Sequence, residues 1–303
     1  MEKHDLVIIG SGPGGLSAAI YAARYNVDVI VIGEIPGGIA GTANDIRNYP
    51  GFQKTSGMEL MTKMVDQVKN LDVPIYNEVV TGMKKETGGI IVKTSKKEYL
   101  GKKIIIATGT DRRKLGLNNE KELIGKGVSY CATCDAGFYK DKTVGIVGGG
   151  DAALTASILL AKFAKKIYLI YRKDKFTKAE PAWVDEIEKL KNIEIMFNEE
   201  VTELIGVEKL EKVKLKSGKD LELNGLFIEI GGTPNIELAQ EIGLELENGS
   251  IVVDKNQKTN VEGVFAAGDV TNRPFKQIVS AAGDGATACY TAYKELEKGK
   301  DKD

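Results

Sequence analysis

The sequence contains few of the residues on which several classes of protein depend. Its 303 residues include three cysteines, one histidine, one tryptophan and seven prolines. An odd and sparse set of cysteines does not form the disulfide framework of a small secreted domain. Lys and Arg number 42 against 43 Asp and Glu, which gives a net charge of −1. This balance excludes the strong one-signed field of a nucleic-acid-binding surface or a polybasic membrane anchor.

Segments that direct a chain to or across a membrane are also missing from the sequence. No run approaches the roughly 18 consecutive apolar residues that span a bilayer. The first apolar strand begins near Asp5, and the charged region, apolar stretch and cleavage site of a signal peptide do not precede it. We therefore expect a cytoplasmic protein that has neither a membrane nor a nucleic acid as its partner.

Glycine, in contrast, is abundant in this chain. The 35 glycines make up about 12% of the residues, compared with an average of ~7%. Because prolines are few and no tract is of low complexity, these glycines are expected to serve tight turns and close backbone approach. The chain length itself predicts roughly two domains.

Two glycine clusters each follow a short apolar run and precede an alanine-rich helical stretch. They lie in DLVIIGSGPGG, residues 5–15, and TVGIVGGGDAA, residues 143–153, and each unit continues into another apolar run. A strand–turn–helix–strand order that occurs twice predicts an α/β fold with two Rossmann-like, three-layer nucleotide-binding domains. We also expect helices near 57–70, 183–191 and 278–297, and strands near 90–94, 103–106, 192–197, 225–230 and 262–266.

The first glycine cluster has the spacing of a phosphate-binding turn. Gly10, Gly12 and Gly15 satisfy G-x-G-x-x-G, in which the second glycine lets the backbone approach a pyrophosphate and the third lets helix pack on strand. Glu34 lies 24 residues beyond Gly10, where a carboxylate can accept hydrogen bonds from a ribose 2′-hydroxyl. These residues are therefore candidates for cofactor binding, the alternative being that the glycines serve turn geometry alone.

The second glycine cluster is followed by cations instead of a carboxylate. Gly148 and Gly150 repeat the pattern, and Arg172 and Lys173 begin 24 residues beyond Gly148. Positive charges at this place suit a 2′-phosphate, which predicts NADP in preference to NAD. The alternative interpretation is that these cations belong to a solvated charge run on the surface.

Cys131 and Cys134 form a C-x-x-C pair, which has three common uses. A structural zinc site needs about four ligands, and only Cys289 and His4 remain, at opposite ends of the chain. Two unrelated buried thiols are a second possibility, and a redox disulfide is the third. The predicted nucleotide sites favour the redox disulfide. Asp135, the nearest titratable group, then becomes the predicted acid–base, its alternative role being a helix N-cap.

Two other rare residues are expected to serve packing. Cys289 lies at helical spacing among apolar residues, so we expect a small buried core thiol. Trp183 follows Pro181 at a predicted helix start, and we assign it to packing in the core of its domain, the alternative being a position that borders the nicotinamide site.

Together these motifs resemble the low-molecular-weight thioredoxin reductases, FAD-dependent pyridine nucleotide–disulfide oxidoreductases. The resemblance covers roughly residues 5–296 in the order of that family. It rests on the glycine turns, on CATCD at 131–135 and on GVFAAGD at 263–269, with further matches at Asn48–Phe52, Ile105–Gly109 and Ile230–Asn235.

The resemblance implies how the chain is divided and what each part binds. Residues 1–114 and 245–303 would form an FAD-binding domain, and residues 115–244 an inserted NADPH-binding and redox-disulfide domain. Asp269 would hold the ribitol side of FAD, and Gln277 would lie near its isoalloxazine. The remaining cofactor-binding candidates at matched positions are Asn48, Thr108, Gly109, Asp151 and Gly268.

The resemblance also implies an electron route. Electrons would pass from NADPH through FAD to the Cys131–Cys134 disulfide, and then to thioredoxin or a glutaredoxin-like protein. Cys134 would face the flavin, Cys131 would attack the partner disulfide, and Asp135 would donate and accept the proton. Members of this family are homodimers whose inserted domain rotates, here about hinges expected near Lys114–Gly116 and Gly243–Leu246.

Departures from the family pattern leave the electron donor and the acceptor open. Thr155 and Ala156 stand where relatives usually carry paired glutamates, and Tyr171–Thr177 replaces H-R-R-D-x-F-R. Lysine in place of arginine loses bidentate geometry toward a phosphate. Some relatives in anaerobes that resemble this chain take electrons from reduced ferredoxin or a deazaflavin, so the resemblance implies these as alternative electron donors. The chain could also be the reductase component of a peroxidase system, or a non-catalytic flavoprotein, which would need no cysteine pair.

Overall fold

The computed structural model describes residues 1–300, which form two compact units. Unit 1 comprises Met1–Gly41, Ile46–Asp111 and the described residues from Thr233 onwards, and unit 2 comprises Thr42–Asp45 and Arg112–Gly232. The last residues of the predicted FAD-binding domain, 301–303, lie outside the described residues.

The secondary structure alternates strands and helices. Numbered along the chain, the strands are β1 (Glu2–Ile9), β2 (Val29–Ile32), β3 (Ile75–Tyr76), β4 (Val80–Glu86), β5 (Gly89–Thr94), β6 (Glu98–Ile106), β7 (Thr110–Arg112), β8 (Val128–Ser129), β9 (Thr143–Val147), β10 (Lys166–Tyr171), β11 (Ile193–Phe197), β12 (Val201–Ile205), β13 (Lys212–Leu215), β14 (Asp220–Glu222), β15 (Gly225–Ile228), β16 (Gly232–Pro234), β17 (Leu246–Glu247), β18 (Ser250–Ile251) and β19 (Val264–Ala266). The α-helices are α1 (Pro13–Arg24), α2 (Gly57–Lys69), α3 (Ala132–Asp135), α4 (Asp151–Leu160), α5 (Pro181–Ile187), α6 (Glu237–Glu241) and α7 (Ile278–Lys300).

The sheet of unit 1 has a parallel core and an antiparallel edge. Its strands follow the order β3-β2-β1-β6-β5-β4, and β19 pairs with the C-terminal part of β6. β1, β2, β3, β6 and β19 are parallel, whereas β4 and β5 run antiparallel to their neighbours. Every residue of β2, Val-Ile-Val-Ile, is buried, as expected for a parallel strand covered on both faces.

Helices α1 and α7 pack together in unit 1, and glycine permits their close approach. A Cβ atom on Gly285 of α7 would lie 1.9 Å from the carbonyl oxygen of Gly14 in α1. Any side chain there would push the two helices apart. The predicted strand–turn–helix unit is thus fixed in position by a helix from the opposite end of the sequence.

Helix α2 shows why the sequence forms a helix at this place. Ser56 is the N-cap, and its Oγ accepts a hydrogen bond from the backbone N–H of Glu59, which satisfies an otherwise unpaired donor. The Glu59 carboxylate pairs with Lys63 at 2.8 Å, one turn later. The buried residues Leu60, Met61, Met64, Val65 and Val68 recur at helical spacing, so one face of the helix covers the core.

The principal sheet of unit 2 is entirely parallel. Its order is β11-β10-β9-β15-β8, and every neighbouring pair runs in the same direction. A separate antiparallel sheet contains β12, β13 and β14. Trp183 of α5 is 6% exposed and belongs to the core beneath the parallel sheet. The predicted α/β class is confirmed, as is the assignment of Trp183 to the core.

The chain returns to unit 1 earlier than the sequence predicts. The sequence places the last boundary between residues 244 and 245, whereas the structure assigns Thr233 onwards to unit 1. The reason is helix α6 and the loop after it. Ala239 and Ile242 are buried in the core formed by β1, β2 and β6, and the Glu241 carboxylate accepts a hydrogen bond from the N–H of Met83. Apolar burial therefore fixes this segment in unit 1.

Within residues 1–300, no helix combines the length and apolar character that a membrane crossing requires.

The assignment of the segment after Thr233 to unit 1 can be tested by a substitution at Ile242, which is 5% exposed. Ile242→Ala should lower the free energy of unfolding of unit 1 by about 2–4 kcal/mol, because it leaves a cavity in that core. Urea unfolding followed by circular dichroism measures this loss. Trp183, in unit 2, reports its own unit by fluorescence and should unfold at an unchanged urea concentration.

The matched control for this measurement is Ile35→Ala, because Ile35 belongs to unit 1 and is 65% exposed. This variant should unfold as the parent protein does. A shift of the Trp183 transition in Ile242→Ala, with no change elsewhere, would instead assign the segment to unit 2.

Candidate functional site

The cysteine pair occupies a turn just beyond the carboxyl end of β8. Cys131 and Cys134 are joined by a disulfide bond. Cys131 is the N-cap of the short helix α3, and the backbone N–H of Cys134 donates a hydrogen bond to Cys131 Sγ at 3.2 Å. Cys134 is exposed and Cys131 is half-buried. The bond favours the redox disulfide over two unrelated thiols, and the N–H would stabilise a thiolate at Cys131 after reduction.

Asp135 is connected to the same turn through a serine that the sequence motifs do not single out. Ser129 Oγ donates to Asp135 Oδ2 at 2.6 Å and accepts from the backbone N–H of Cys131 at 3.0 Å. Asp135 precedes the 3-10 turn at 136–139, but its side chain makes no capping hydrogen bond there. The carboxylate therefore contacts the cysteine turn instead of capping the next segment. Its role as an acid–base stays a prediction.

A half-buried ion pair lies beside the turn, and neither of its residues is among those predicted from the sequence. Glu229, directly after β15, has Oε2 at 3.1 Å from Arg112 Nη1. Burial raises the pKa of Glu229 to about 7, although Arg112 and the backbone N–H of Ala132 both act to lower it. A charged residue inside the apolar run Leu226–Ile230 is the sequence signal that could have identified this site.

The third cysteine is separate from this chemistry. Cys289 is fully buried in α7, as expected for a core thiol. Burial raises the pKa of the Cys289 thiol to about 12, so a reactive thiolate does not form there near neutral pH. His4, on the interior strand β1, forms a hydrogen bond with the Asp28 side chain, one residue before β2.

In the first glycine turn, two glycines allow close packing of the backbone and one faces an open surface. Gly10 has φ +111°, and a Cβ there would lie 2.1 Å from the carbonyl oxygen of Ala107; a Cβ on Gly15 would lie 1.8 Å from that of Gly10. A Cβ on Gly12 would meet no atom within 4 Å. Gly12 is also the N-cap of α1 and makes no side-chain cap. The open glycine and the free helix N-terminus fit a diphosphate.

The second glycine turn repeats this arrangement in unit 2. Gly148 has φ +149°, and a Cβ there would lie 2.2 Å from the carbonyl oxygen of Glu229, whereas a Cβ on Gly150 would have its nearest neighbour at 4.0 Å. Gly150 is the N-cap of α4 and makes no side-chain cap. Asp151 Oδ1 accepts a hydrogen bond from the N–H of Glu180 at 2.7 Å. Asp151 thus holds a neighbouring loop at the start of the helix.

The predicted FAD-binding residues of unit 1 meet across large sequence separations. Asn48 Nδ2 donates to Gln277 Oε1 at 3.1 Å, and Thr108 Oγ1 donates to the carbonyl oxygen of Asn235 at 3.0 Å. Gly109 and Gly268 both have positive φ, +64° and +75°. Burial raises the pKa of Asp269, with the Lys276 ammonium opposing the shift.

The residues expected at the two riboses are exposed at the carboxyl ends of strands. Glu34 lies two residues beyond β2, and Arg172 and Lys173 follow β10 directly. Lys173 Nζ donates to Thr177 Oγ1 at 3.1 Å. These positions leave all three side chains accessible to a nucleotide. Both interpretations of the cations, a phosphate site and a solvated run, require such exposure, so the phosphate site stays a prediction.

Known proteins identify the class to which this arrangement belongs. The family described as "Pyridine nucleotide-disulphide oxidoreductase" matches residues 4–285. The chain belongs to this family. It is 39% identical over 294 residues to the thioredoxin reductase of Mycoplasma genitalium, with 94% of this chain and 93% of that protein covered.

Solved structures of the family have the same fold. The chain superposes on Lactococcus lactis thioredoxin reductase with a TM-score of 0.94 at 35% identity, and on T. acidophilum thioredoxin reductase with 0.92 at 38% identity. Each alignment covers 97% of this chain and 99% of the other. The resemblance to low-molecular-weight thioredoxin reductases and the two Rossmann-like domains are confirmed. The protein is a flavoprotein disulfide reductase of a family that uses FAD and NADPH.

The glycine geometry predicts opposite outcomes for two similar substitutions. Gly15→Ala should lower the free energy of unfolding by about 1–3 kcal/mol, because its Cβ collides with the Gly10 carbonyl. Gly12 has φ −80°, so Gly12→Ala should unfold as the parent does and yet retain less flavin after gel filtration. Urea unfolding and the absorbance of released flavin measure the two effects. A Gly12→Ala variant with full flavin content would contradict a diphosphate site at this turn.

Proposed function

We propose that the protein reduces the disulfide of thioredoxin or of a glutaredoxin-like protein, with FAD bound in unit 1 and NADPH as electron donor. The observation that carries this proposal is the bonded Cys131–Cys134 pair in a turn where Cys134 is exposed. The similarity of this chain to thioredoxin reductases extends over nearly its whole length. This similarity supports a thioredoxin-like protein as the substrate.

The residues of unit 1 fit the parts of FAD. Gly12 and the N-terminus of α1 would hold the diphosphate, Glu34 the adenosine ribose and Asp269 the ribitol side. Gln277 and its hydrogen-bonding partner Asn48 would lie near the isoalloxazine. When bound, FAD supplies the two-electron chemistry that connects a pyridine nucleotide with a disulfide.

Unit 2 offers a second nucleotide site at the carboxyl edge of its parallel sheet, the edge at which such sheets bind ligands. Gly150 and the start of α4 would hold the NADPH diphosphate, and Arg172 and Lys173 the 2′-phosphate. At the position of a family glutamate, Thr155 Oγ1 donates within its own helix to the carbonyl oxygen of Asp151. This threonine brings no charge to the nucleotide.

The reduced cysteine pair would then perform a dithiol–disulfide exchange. The Cys131 thiolate attacks one sulfur of the partner disulfide, which forms a mixed disulfide and releases the other partner sulfur as a thiolate. Cys134 attacks Cys131 Sγ, restores the internal disulfide and releases the second partner sulfur. Asp135, oriented by Ser129, would accept the proton of the attacking thiol and return it to a leaving sulfur.

We also propose that the protein is a cytoplasmic homodimer. The sparse cysteines suit a reducing compartment. Exposed aromatic side chains on unit 1 support a subunit interface, since Tyr21 is 42% and Tyr290 49% exposed and aromatic residues are enriched in such interfaces. Two alternative functions are not favoured. One is thioredoxin reduction with reduced ferredoxin or a deazaflavin as electron donor, and the other is the reductase component of a peroxidase system.

The exchange predicts which cysteine is required. Cys134→Ser should abolish thioredoxin reduction and leave the flavin bound, because Cys134 completes the disulfide. Turnover is followed as NADPH oxidation in the presence of thioredoxin. Cys289→Ala, which removes the buried thiol of unit 1, is the control and should retain turnover. Residual reduction by Cys134→Ser at the rate of this control would refute the dithiol exchange.

The donor assignment predicts a difference between NADPH and NADH. Anaerobic NADPH should bleach the flavin absorbance nearly stoichiometrically, and the Arg172→Ala, Lys173→Ala double variant should need at least about tenfold more NADPH, since two charged hydrogen bonds are lost. Its response to NADH should not change. Lys191→Ala, at an exposed lysine of the same unit, is the control. Bleaching of the parent by dithionite but by neither nucleotide would move the donor to another carrier.

A further inference from the structure

The half-buried ion pair of Glu229 and Arg112 lies against the cysteine turn. The Glu229 side chain is 10% exposed and that of Arg112 is 26% exposed, with 3.1 Å between Oε2 and Nη1. Removing a carboxylate from water is unfavourable unless a cation and hydrogen bonds compensate. Both are present here, since Arg112 supplies the charge and the Ala132 backbone supplies an N–H.

The pair is connected to the turn through Thr42 and lies close to Ala132. Arg112 Nη2 donates to Thr42 Oγ1 at 2.7 Å, and the backbone N–H of Ala132 acts to lower the pKa of Glu229. The Thr42 carbonyl oxygen in turn accepts from Thr133 Oγ1 at 2.8 Å. Ala132 and Thr133 are the two residues between the cysteines, and Thr42 belongs to the same unit. Two successive hydrogen bonds therefore connect Arg112, through Thr42, to Thr133 in the middle of the C-x-x-C turn.

The other ionisable groups close to this turn have partners of their own. Tyr130, which precedes Cys131, donates a hydrogen bond to the Glu120 carboxylate. On α3 itself, Asp135 is hydrogen-bonded to Ser129. The following 3-10 turn contributes Tyr139. Burial raises the pKa of Tyr139, and the nearby Asp135 carboxylate raises it further. Glu229 and Arg112 are therefore the pair whose opposite charges meet at the backbone next to Cys131.

We propose that Arg112 and Glu229 are positioning residues that hold the Cys131–Cys134 turn, and that their charge balance sets how readily its thiols ionise. This inference rests on the proposed dithiol exchange. A nearby carboxylate disfavours a thiolate and a guanidinium favours it. In the intact pair the two effects oppose each other, so neutralising one residue leaves the charge of the other uncompensated. Neither residue exchanges electrons or protons with the thiols.

The test measures thiolate formation in the reduced protein without pyridine nucleotide or thioredoxin. The flavin-containing protein is reduced with dithiothreitol, desalted anaerobically and alkylated with iodoacetamide across the pH range, and modification of Cys131 and Cys134 is followed by peptide mass spectrometry. Glu229→Gln should speed alkylation at neutral pH by about three- to tenfold, because Arg112 then acts alone. Arg112→Gln should slow alkylation at alkaline pH, where Glu229 is ionised. The double variant should return close to the parent profile.

Asp220→Asn is the matched control, because it neutralises one member of the exposed Lys212–Asp220 pair in the same unit. Its alkylation profile should equal that of the parent. The fold of each variant is checked by Trp183 fluorescence during thermal unfolding, and if Glu229→Gln does not fold, Arg112→Gln and the double variant carry the test.

Shifts of both single variants in the same direction, or no shift in either, would overturn the inference and indicate a purely structural pair. The proposed function is judged separately, because thioredoxin turnover can be lost while the alkylation shifts persist. Conversely, normal turnover without the shifts leaves the dithiol exchange intact and rejects only the role of the ion pair.

Discussion

Parallel strand pairing is the constraint that determines where the chemistry of each unit lies. In unit 2, β8, β9, β10 and β15 run in one direction, so their carboxyl ends share one edge of the sheet. The residues that follow these ends are, respectively, the cysteine turn, the second glycine turn, the cations at Arg172 and Lys173, and Glu229. If a single strand were reversed, its functional residues would move to the opposite edge. The parallel register therefore gathers residues that are distant in the sequence into one site.

A second constraint is the close approach of backbones at the two glycine turns. In both turns the first glycine faces a carbonyl oxygen of a neighbouring strand end, that of Ala107 for Gly10 and that of Glu229 for Gly148. Of the middle glycines, Gly12 faces open space, and a Cβ on Gly150 would make only an ordinary contact at 4.0 Å. The packing glycines fix the helix against the sheet, and the open glycines leave the helix N-terminus accessible to an anion. The same local geometry thus serves stability and binding through different residues.

Local patterns explain what the sequence predicts and where it falls short. The glycine turns, the C-x-x-C pair and helix α2 depend on residues close together in the chain, and each was predicted at its observed place. The Asn48–Gln277 and Arg112–Glu229 contacts join residues more than a hundred positions apart, which periodicity cannot reveal. The assignment of α6 to unit 1 was missed for the same reason, because it depends on core packing and not on the short helix itself. An apolar run interrupted by one carboxylate, as at Glu229, was the available sign of such a site.

The proposed electron route requires that electrons supplied by NADPH reach the Cys131–Cys134 disulfide and no other sulfur. The most direct measurement is to reduce the protein anaerobically with NADPH, alkylate it with iodoacetamide in its native state, and determine its mass and modified peptides. We expect two added groups, on Cys131 and Cys134, with Cys289 unmodified because it is buried. Reduction of the flavin without alkylation of either cysteine of the pair would contradict this route.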